Sequence, residues 1–68
     1  MVGGDDMPMT PKQMVKLLKQ NGFRQIRSCG SHVQFYNDIT GKRTTVAMHC
    51  KDLPKGTERK ILKDAGLL

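Results

Sequence analysis

Apolar residues recur at helical spacing near the start of the chain, and lysines occupy the positions between them. Thr10 and Gln13 form a capping box ahead of this segment, with a proline at the first helical position. The Asn–Gly pair at 21–22 is a common helix C-cap, in which a left-handed residue ends the helix. The pattern predicts an amphipathic helix over about residues 10–21. Its apolar side carries Met14, Val15, Leu17 and Leu18.

From residue 23 onward the apolar period changes to two, which is typical of strands. Cys29–Gly30 and Asp38–Gly41 carry turn signals, and the segment after the second turn is rich in β-branched residues. Three successive strands with short connections predict an antiparallel meander. The predicted strands run over residues 23–28, 31–37 and 43–48.

A second helix is predicted after the Leu-Pro-Lys-Gly segment at 53–56. Thr57 is the predicted N-cap, and Glu58 in the first turn complements the helix dipole. Gly66 closes the helix, whose apolar side carries Ile61, Leu62 and Ala65. The order helix, three strands, helix predicts an α+β two-layer sandwich with both helices on one face of the sheet.

This architecture leaves the other face of the sheet open to solvent. If Val33 and Phe35 point toward the helices, the alternate residues of the same strand point outward. We therefore expect His32, Gln34 and Tyr36 on the open face.

Composition and charge narrow the class of protein. The chain has 68 residues and a net charge of +6, which suits one small domain. Residues 1–9 are predicted to be a disordered leader and residues 10–68 the domain, and the two acids at 5 and 6 make the rest more basic, at +8. A chain this short leaves no room to enclose a large organic cofactor, and no apolar run reaches membrane length. A cytoplasmic domain with an acidic partner, most commonly nucleic acid, is expected.

The candidate chemistry centres on a histidine that follows a Gly–Ser turn in a cationic chain. Imidazole suits proton transfer near neutral pH, and RNA brings its own nucleophile, the 2′-hydroxyl. A protein that cleaves RNA in this way needs a proton acceptor and positive charge but no metal or other cofactor. His32 is therefore the catalytic candidate, although an ordinary surface histidine is the commoner interpretation of such a pattern. His49, at the end of the third strand, is the second candidate, and a hydrogen bond that anchors the loop is the preferred interpretation for it.

The two cysteines do not predict a disulfide or a metal site. Cys29 and Cys50 are outside any Cys-x-x-Cys motif, and reduced, unreactive thiols are expected. With His32 and His49 they make four potential zinc ligands, but the adjacent His49–Cys50 pair suits a tetrahedral structural site poorly.

Basic residues supply candidate contacts to RNA. Lysines on the helices (Lys12, Lys16, Lys19, Lys60 and Lys63) are interpreted as solvated surface. Cations on strands and loops are better candidates for phosphate contacts, and one outward tyrosine could stack on a base. The RNA-binding candidates are Arg24, Arg27, Tyr36, Lys42, Arg43, Lys51 and Lys55.

Three segments resemble the HicA toxin family, also called the YcfA-like family of mRNA interferases. They are GSHVQF (30–35), VAMH (46–49) and KDLPKGTERKILKDAGL (51–67), and Asn-Gly-Phe at 21–23 with Arg27 fits the opening of the same family. The resemblance covers about residues 9–67. It implies a fold like that of the double-stranded RNA-binding domain, which agrees with the elements predicted above.

The resemblance also implies a function. HicA toxins cleave mRNA independently of the ribosome, arrest growth and are neutralised by a HicB antitoxin. The family's catalytic histidine corresponds to His32, and Gly30 and Ser31 match the supporting positions. Val33 stands where the family often has a second histidine, and Ala47 stands where it usually has proline.

Two further function classes stay open at this point. A non-catalytic RNA-binding module of the same fold would bind RNA and leave its length intact, and a protein-interaction domain would bind no RNA at physiological salt. For a toxin, we expect a monomer whose His32 face is covered by acidic groups of the antitoxin, with larger assemblies formed through that antitoxin.

Overall fold

A computed structural model describes residues 9–68 of the chain. It contains two helices and three strands in the predicted order, with the strands in one antiparallel sheet of order β1-β2-β3. The α+β prediction is confirmed, and the layout is consistent with the fold of the double-stranded RNA-binding domain. The elements are α1 (Pro11–Gln20), β1 (Phe23–Cys29), β2 (His32–Asn37), β3 (Arg43–Ala47) and α2 (Lys55–Asp64).

The predicted leader lies almost entirely outside the described residues, which begin at position 9. Met9 itself packs against the core, and its carbonyl accepts a hydrogen bond of 2.8 Å from the Leu53 amide. The described domain therefore includes Met9.

Both helices cover the same face of the sheet. Phe35 of β2, Val46 of β3 and Leu18 of α1 are fully buried. Fully burying side chains of this kind stabilises the fold by about 1.5–3 kcal/mol each. The buried apolar core consists of Met14, Leu18, Phe23, Phe35, Val46, Leu53, Ile61 and Ala65.

The first helix begins and ends as its sequence predicts. The Thr10 hydroxyl accepts a hydrogen bond from the Gln13 amide at 3.2 Å, and the Gln13 side chain accepts one from the Thr10 amide at 2.9 Å. After the last turn Gly22 adopts φ +91°, a left-handed conformation that only glycine reaches without strain. The capping box and the left-handed glycine therefore define the two ends of the helix.

The prediction that Thr57 caps the second helix is wrong. The N-cap is Pro54, three residues earlier, and the helix begins at Lys55, because the Pro54 carbonyl already accepts a hydrogen bond of 2.8 Å from the Glu58 amide. No side chain caps this helix, and Thr57 is its third residue, half-buried beside the sheet. The Pro54 N-cap is extended (φ −56°, ψ 148°), and its ring fixes φ near the helical value.

One irregularity in β1 decides which side chains reach the open face. The pairing with β2 shifts register between Gln25 and Arg27, so Ile26 is an extra residue on β1. Arg24 pairs with Tyr36, and Arg27 pairs with Gln34. Residues three apart on a regular strand would face opposite sides, but across the bulge both arginines face outward.

Buried Asn37 joins the two connections at one end of the sheet. Its side-chain amide donates to the Asn21 carbonyl at 2.9 Å, and its carbonyl oxygen accepts from the amides of Ile39 (2.8 Å) and Thr40 (3.1 Å). The turn between α1 and β1 and the loop between β2 and β3 are therefore held by one side chain.

Candidate active site

The face of the sheet away from the helices carries three cross-strand rows of side chains. We call it the outer face. His32 lies in the first row, Gln34 in the second and Tyr36 in the third, each flanked by residues of β1 and β3. The outward position predicted for these three residues agrees with the burial of Phe35 beneath them. The rows are Cys29–His32–Ala47, Arg27–Gln34–Thr45 and Arg24–Tyr36–Arg43.

His32 is the first residue of the central strand and is exposed to solvent. The preceding turn consists of two residues, Gly30 and Ser31, and Gly30 has φ +61°. This left-handed residue allows β1 to reverse directly into β2. The Gly-Ser-His motif thus brings the imidazole to one end of the outer face.

A second histidine lies beside the first. The ring centroids of His32 and His49 are 5.7 Å apart, with the ring planes inclined at 60°. His49 follows β3, whose last residue pairs with His32, so the sheet register brings the two rings together. The sequence makes His49 a second candidate, with a loop-anchoring role preferred, but it contains no signal that the two rings lie side by side.

His49 does make the hydrogen bond predicted for it. The Ser31 hydroxyl lies 3.1 Å from Nδ1 of His49, and the Ser31 carbonyl accepts a hydrogen bond of 2.7 Å from the Met48 amide. These two contacts connect the β1–β2 turn to the end of β3. Nε2 of His49 has a longer contact of 3.7 Å with the sulfur of Cys50.

Both cysteines are free thiols, Cys29 exposed and Cys50 half-buried. Cys29 pairs with His32 across the strands, and Cys50 follows His49 directly. Within residues 9–68 no cluster of three or more histidine, cysteine or acidic residues is arranged to hold a metal ion.

An open groove of about 400 Å³ extends from His32 along the free edge of β3 to α2. We call it the β3–α2 groove. Lys60 lies in it with His32, although its place on the helix predicts only solvated surface. Only the packing of α2 against β3 brings that lysine to the site. The polar lining residues are His32, Arg43, Thr44, Thr45, Thr57, Lys60 and Asp64.

The predicted phosphate contacts divide into two groups in the structure. Arg27 and Arg43 are on the outer face, and the Arg43 guanidinium lies 5.9 Å from the centroid of the Tyr36 ring. Lys51 and Lys55 are exposed on the connection from β3 to α2 and at the start of α2, which is the end of the sheet that carries His32.

The other two candidates, Arg24 and Lys42, lie at the opposite end of the sheet, which also carries Arg43. Arg24 forms an ion pair with Asp38 at 2.6 Å, which raises the pKa of the guanidinium and lowers that of the carboxyl through their hydrogen bond. The Lys42 side chain lies against Gly66, beside the end of α2. Neither residue is brought to His32.

The charge of the described domain is strongly positive. Residues 9–68 contain all 12 lysines and arginines but only 4 acids, a net charge of +8. Two of those acids, Asp38 and Asp64, are already paired with cations. On the outer face itself the cations are Arg24, Arg27 and Arg43.

Together these features define a small α+β domain with a basic open sheet face and an exposed histidine at its edge. The sequence matches the family described as HicA toxin of bacterial toxin–antitoxin over residues 11–67, and the chain belongs to this family. It is thus a toxin of a toxin–antitoxin system, a class of protein whose counterpart is an antitoxin. No curated protein matches the chain in a sequence comparison. No helix in the described part of the chain is long and apolar enough to cross a bilayer.

Proposed function

We propose that the chain is an mRNA interferase, an endoribonuclease that cleaves mRNA in the cytoplasm without the ribosome, with His32 as a catalytic residue. The observation that carries this proposal is the exposed position of His32 at the head of the β3–α2 groove, which it shares with the cations Arg43 and Lys60. Imidazole beside positive charge is the combination that phosphodiester cleavage through the 2′-hydroxyl requires.

The reaction uses a nucleophile that RNA itself supplies. The 2′-oxygen bonds to phosphorus as its proton leaves, and the bond from phosphorus to the 5′-oxygen breaks as that oxygen gains a proton. The products are a 2′,3′-cyclic phosphate and a 5′-hydroxyl. His32 exchanges one of these protons. Lys60, in the groove with His32, compensates the charge that builds on the nonbridging oxygens once it exchanges its 3.4 Å contact with Asp64 for the phosphate, and Arg43, two rows from His32, contacts a neighbouring phosphate.

This route needs no metal ion, because neither the nucleophile nor the charge compensation comes from one. Gly30 and Ser31 support the site by turning β1 into β2. Arg27 and Tyr36 extend the binding surface along the outer face, where tyrosine stacks on an RNA base and arginine contacts phosphate.

A HicB antitoxin would neutralise the toxin by covering the His32 face. The partner surface must match a domain of net charge +8, so we expect carboxylates opposite Arg27, Arg43 and Lys60. RNA and the antitoxin would then compete for the same cations. We expect the free toxin to be monomeric and larger assemblies to form through the antitoxin.

The experiment compares the purified chain with His32→Gln on a defined mRNA, without ribosomes and with excess EDTA. The parent is expected to shorten the RNA, and the variant to lose about 10²–10⁴-fold in rate. Lys16→Ala, which removes a charge from the exposed side of α1, is the matched control and should cleave like the parent.

Two results would contradict the proposal. If the parent shifts RNA in a gel and leaves its length intact, the chain is an RNA-binding module. If His32→Gln cleaves at the parental rate, another residue carries the chemistry. In cells without antitoxin, expression of the parent should arrest growth, and expression of His32→Gln should not.

A further inference from the structure

Two histidines rather than one line the end of the outer face, and the second has a defined orientation. The rings of His32 and His49 have centroids 5.7 Å apart, and His49 is exposed. Its Nδ1 is within hydrogen-bond distance of the Ser31 hydroxyl, at 3.1 Å. This contact restricts rotation of the ring, and Nε2 is left with the long contact to the Cys50 sulfur.

The hydrogen bond to Ser31 is compatible with a protonated His49. An imidazolium donates from both nitrogens, and a serine hydroxyl accepts such a bond through its oxygen. Nδ1–H then donates to Ser31, and Nε2–H is free to exchange its weak sulfur contact for a substrate oxygen, since sulfur is a poor acceptor. An exposed, oriented donor of this kind beside a general base is the arrangement that a leaving oxygen requires.

We propose that His49 is the general acid of the cleavage, held by Ser31, and that His32 is the general base. This assignment rests on the proposed ribonuclease activity. The neutral His32 takes the proton of the 2′-hydroxyl as the 2′-oxygen bonds to phosphorus. Nε2–H of His49 gives its proton to the 5′-oxygen as the bond from phosphorus to that oxygen breaks. One proton is taken up and one is released, so the protein ends the step with the two roles exchanged.

The separation of the rings fits this division of roles. The two imidazoles lie edge to face with centroids 5.7 Å apart and make no hydrogen bond to each other, and both can contact the oxygens of a single phosphodiester. Other titratable and charged groups lie near them: Cys29 across from His32, Cys50 beside His49, and Arg43, Lys60 and Asp64 in the groove. The test therefore uses leaving-group chemistry and does not depend on a pH profile alone.

The experiment compares two RNA dinucleotides, one normal and one with sulfur in place of the bridging 5′-oxygen. A thiolate leaves without protonation because its pKa is far below that of an alcohol. We expect His49→Gln to lose about 10²–10⁴-fold on the normal substrate and to come within about tenfold of the parent on the sulfur substrate. His32→Gln should remain impaired on both, because it lacks the base.

The possible failures are distinguishable. If the parent cleaves neither substrate, the proposed function itself is wrong. If the parent cleaves and His49→Gln is unimpaired on normal RNA, His49 has no catalytic role. If His49→Gln is impaired equally on both substrates, the residue acts through structure or binding, and the general-acid assignment is overturned. Circular dichroism of each variant checks that the fold is retained.

Discussion

The Arg24 guanidinium donates two hydrogen bonds to the Asp38 carboxylate, at 2.6 and 3.1 Å, across the end of the sheet farthest from His32. The ion pair is exposed, with more than half of each side chain accessible to solvent, and its carboxylate competes with a phosphate for the Arg24 guanidinium. Arg27, one row closer to His32, has no carboxylate within ion-pair distance among residues 9–68. Two arginines on one face thus differ in their availability to RNA.

The difference predicts unequal effects on RNA binding. Arg27→Ala should weaken RNA binding and reduce the slope of log K against log salt by about 1, because one phosphate contact is lost. Arg24→Ala should change affinity and slope less. Binding is measured by fluorescence anisotropy over a salt series in the His32→Gln background, so that RNA is not cleaved. Equal effects of the two substitutions would contradict this assignment.

The same ion pair predicts a pH dependence of stability. Arg24 lowers the pKa of the Asp38 carboxyl below its ordinary value of 3.8, chiefly through their hydrogen bond. A carboxyl with a lowered pKa in the folded state stabilises the protein above its ordinary pKa, and this contribution disappears as pH falls through the lowered value. Asp38→Asn should therefore be less stable than the parent at pH 7, and the two should converge in acid.

Urea denaturation at pH 7 and at decreasing pH below 4 measures this difference. High salt should reduce the gap at pH 7, because the pair is solvent-exposed and screened. A gap that persists unchanged in strong acid would mean that Asp38 stabilises the loop by another contact.

The sequence predicts which residues of β2 share a face, but it does not predict which residues of other elements join them at the site. Strict alternation along β2 is enough to put His32 and Tyr36 on one face, because the period of a strand is two. Arg27 reaches that face only through the bulge at Ile26, and local alternation contains no signal for it. His49 reaches His32 through the register of β2 with β3, which pairs His32 with Ala47 and is a long-range property. Helix packing, likewise long-range, brings Lys60 into the groove.

The hydrogen bond between Ser31 and His49 predicts a specific loss of catalysis. Ser31→Ala removes the contact that orients the ring, so kcat should fall by about tenfold or more while KM changes little. The free energy of unfolding should change by only about 1 kcal/mol, as for an ordinary hydrogen bond. Ser31→Thr keeps the hydroxyl and should restore most of kcat.

The sulfur-substituted dinucleotide separates this positioning role from a general defect. If Ser31 acts by orienting the general acid, Ser31→Ala should cleave that substrate nearly as fast as the parent. A rise in KM with unchanged kcat would instead indicate that Ser31 contributes to RNA binding.

Substitutions of Gly30 show whether the turn before His32 needs glycine only for its backbone conformation. Gly30 has φ +61°, and a methyl group built at this position would meet no atom within 4 Å. Gly30→Ala should therefore destabilise the fold by about 1–2 kcal/mol, the cost of a left-handed alanine, without a steric clash. Gly30→Asn should cost less, since asparagine tolerates this conformation. Thermal denaturation of both variants measures the order, and equal losses for the two would contradict a purely conformational role.

Among the polar residues of this fold, we expect substitution of Asn37 to lower the free energy of unfolding most. Asn37 is only 4% exposed, and its side chain makes three hydrogen bonds to backbone groups of two separate connections. Asn37→Ala leaves those groups without their partner, and each one that stays shielded from water costs about 1–3 kcal/mol. Asn21→Ala is the matched control, because its side chain is exposed and bonds only to the Leu17 carbonyl of its own helix. Urea denaturation should show a loss for Asn37→Ala well above that for Asn21→Ala. Similar losses would mean that solvent replaces the Asn37 contacts, and that the two connections are held together by the apolar core instead.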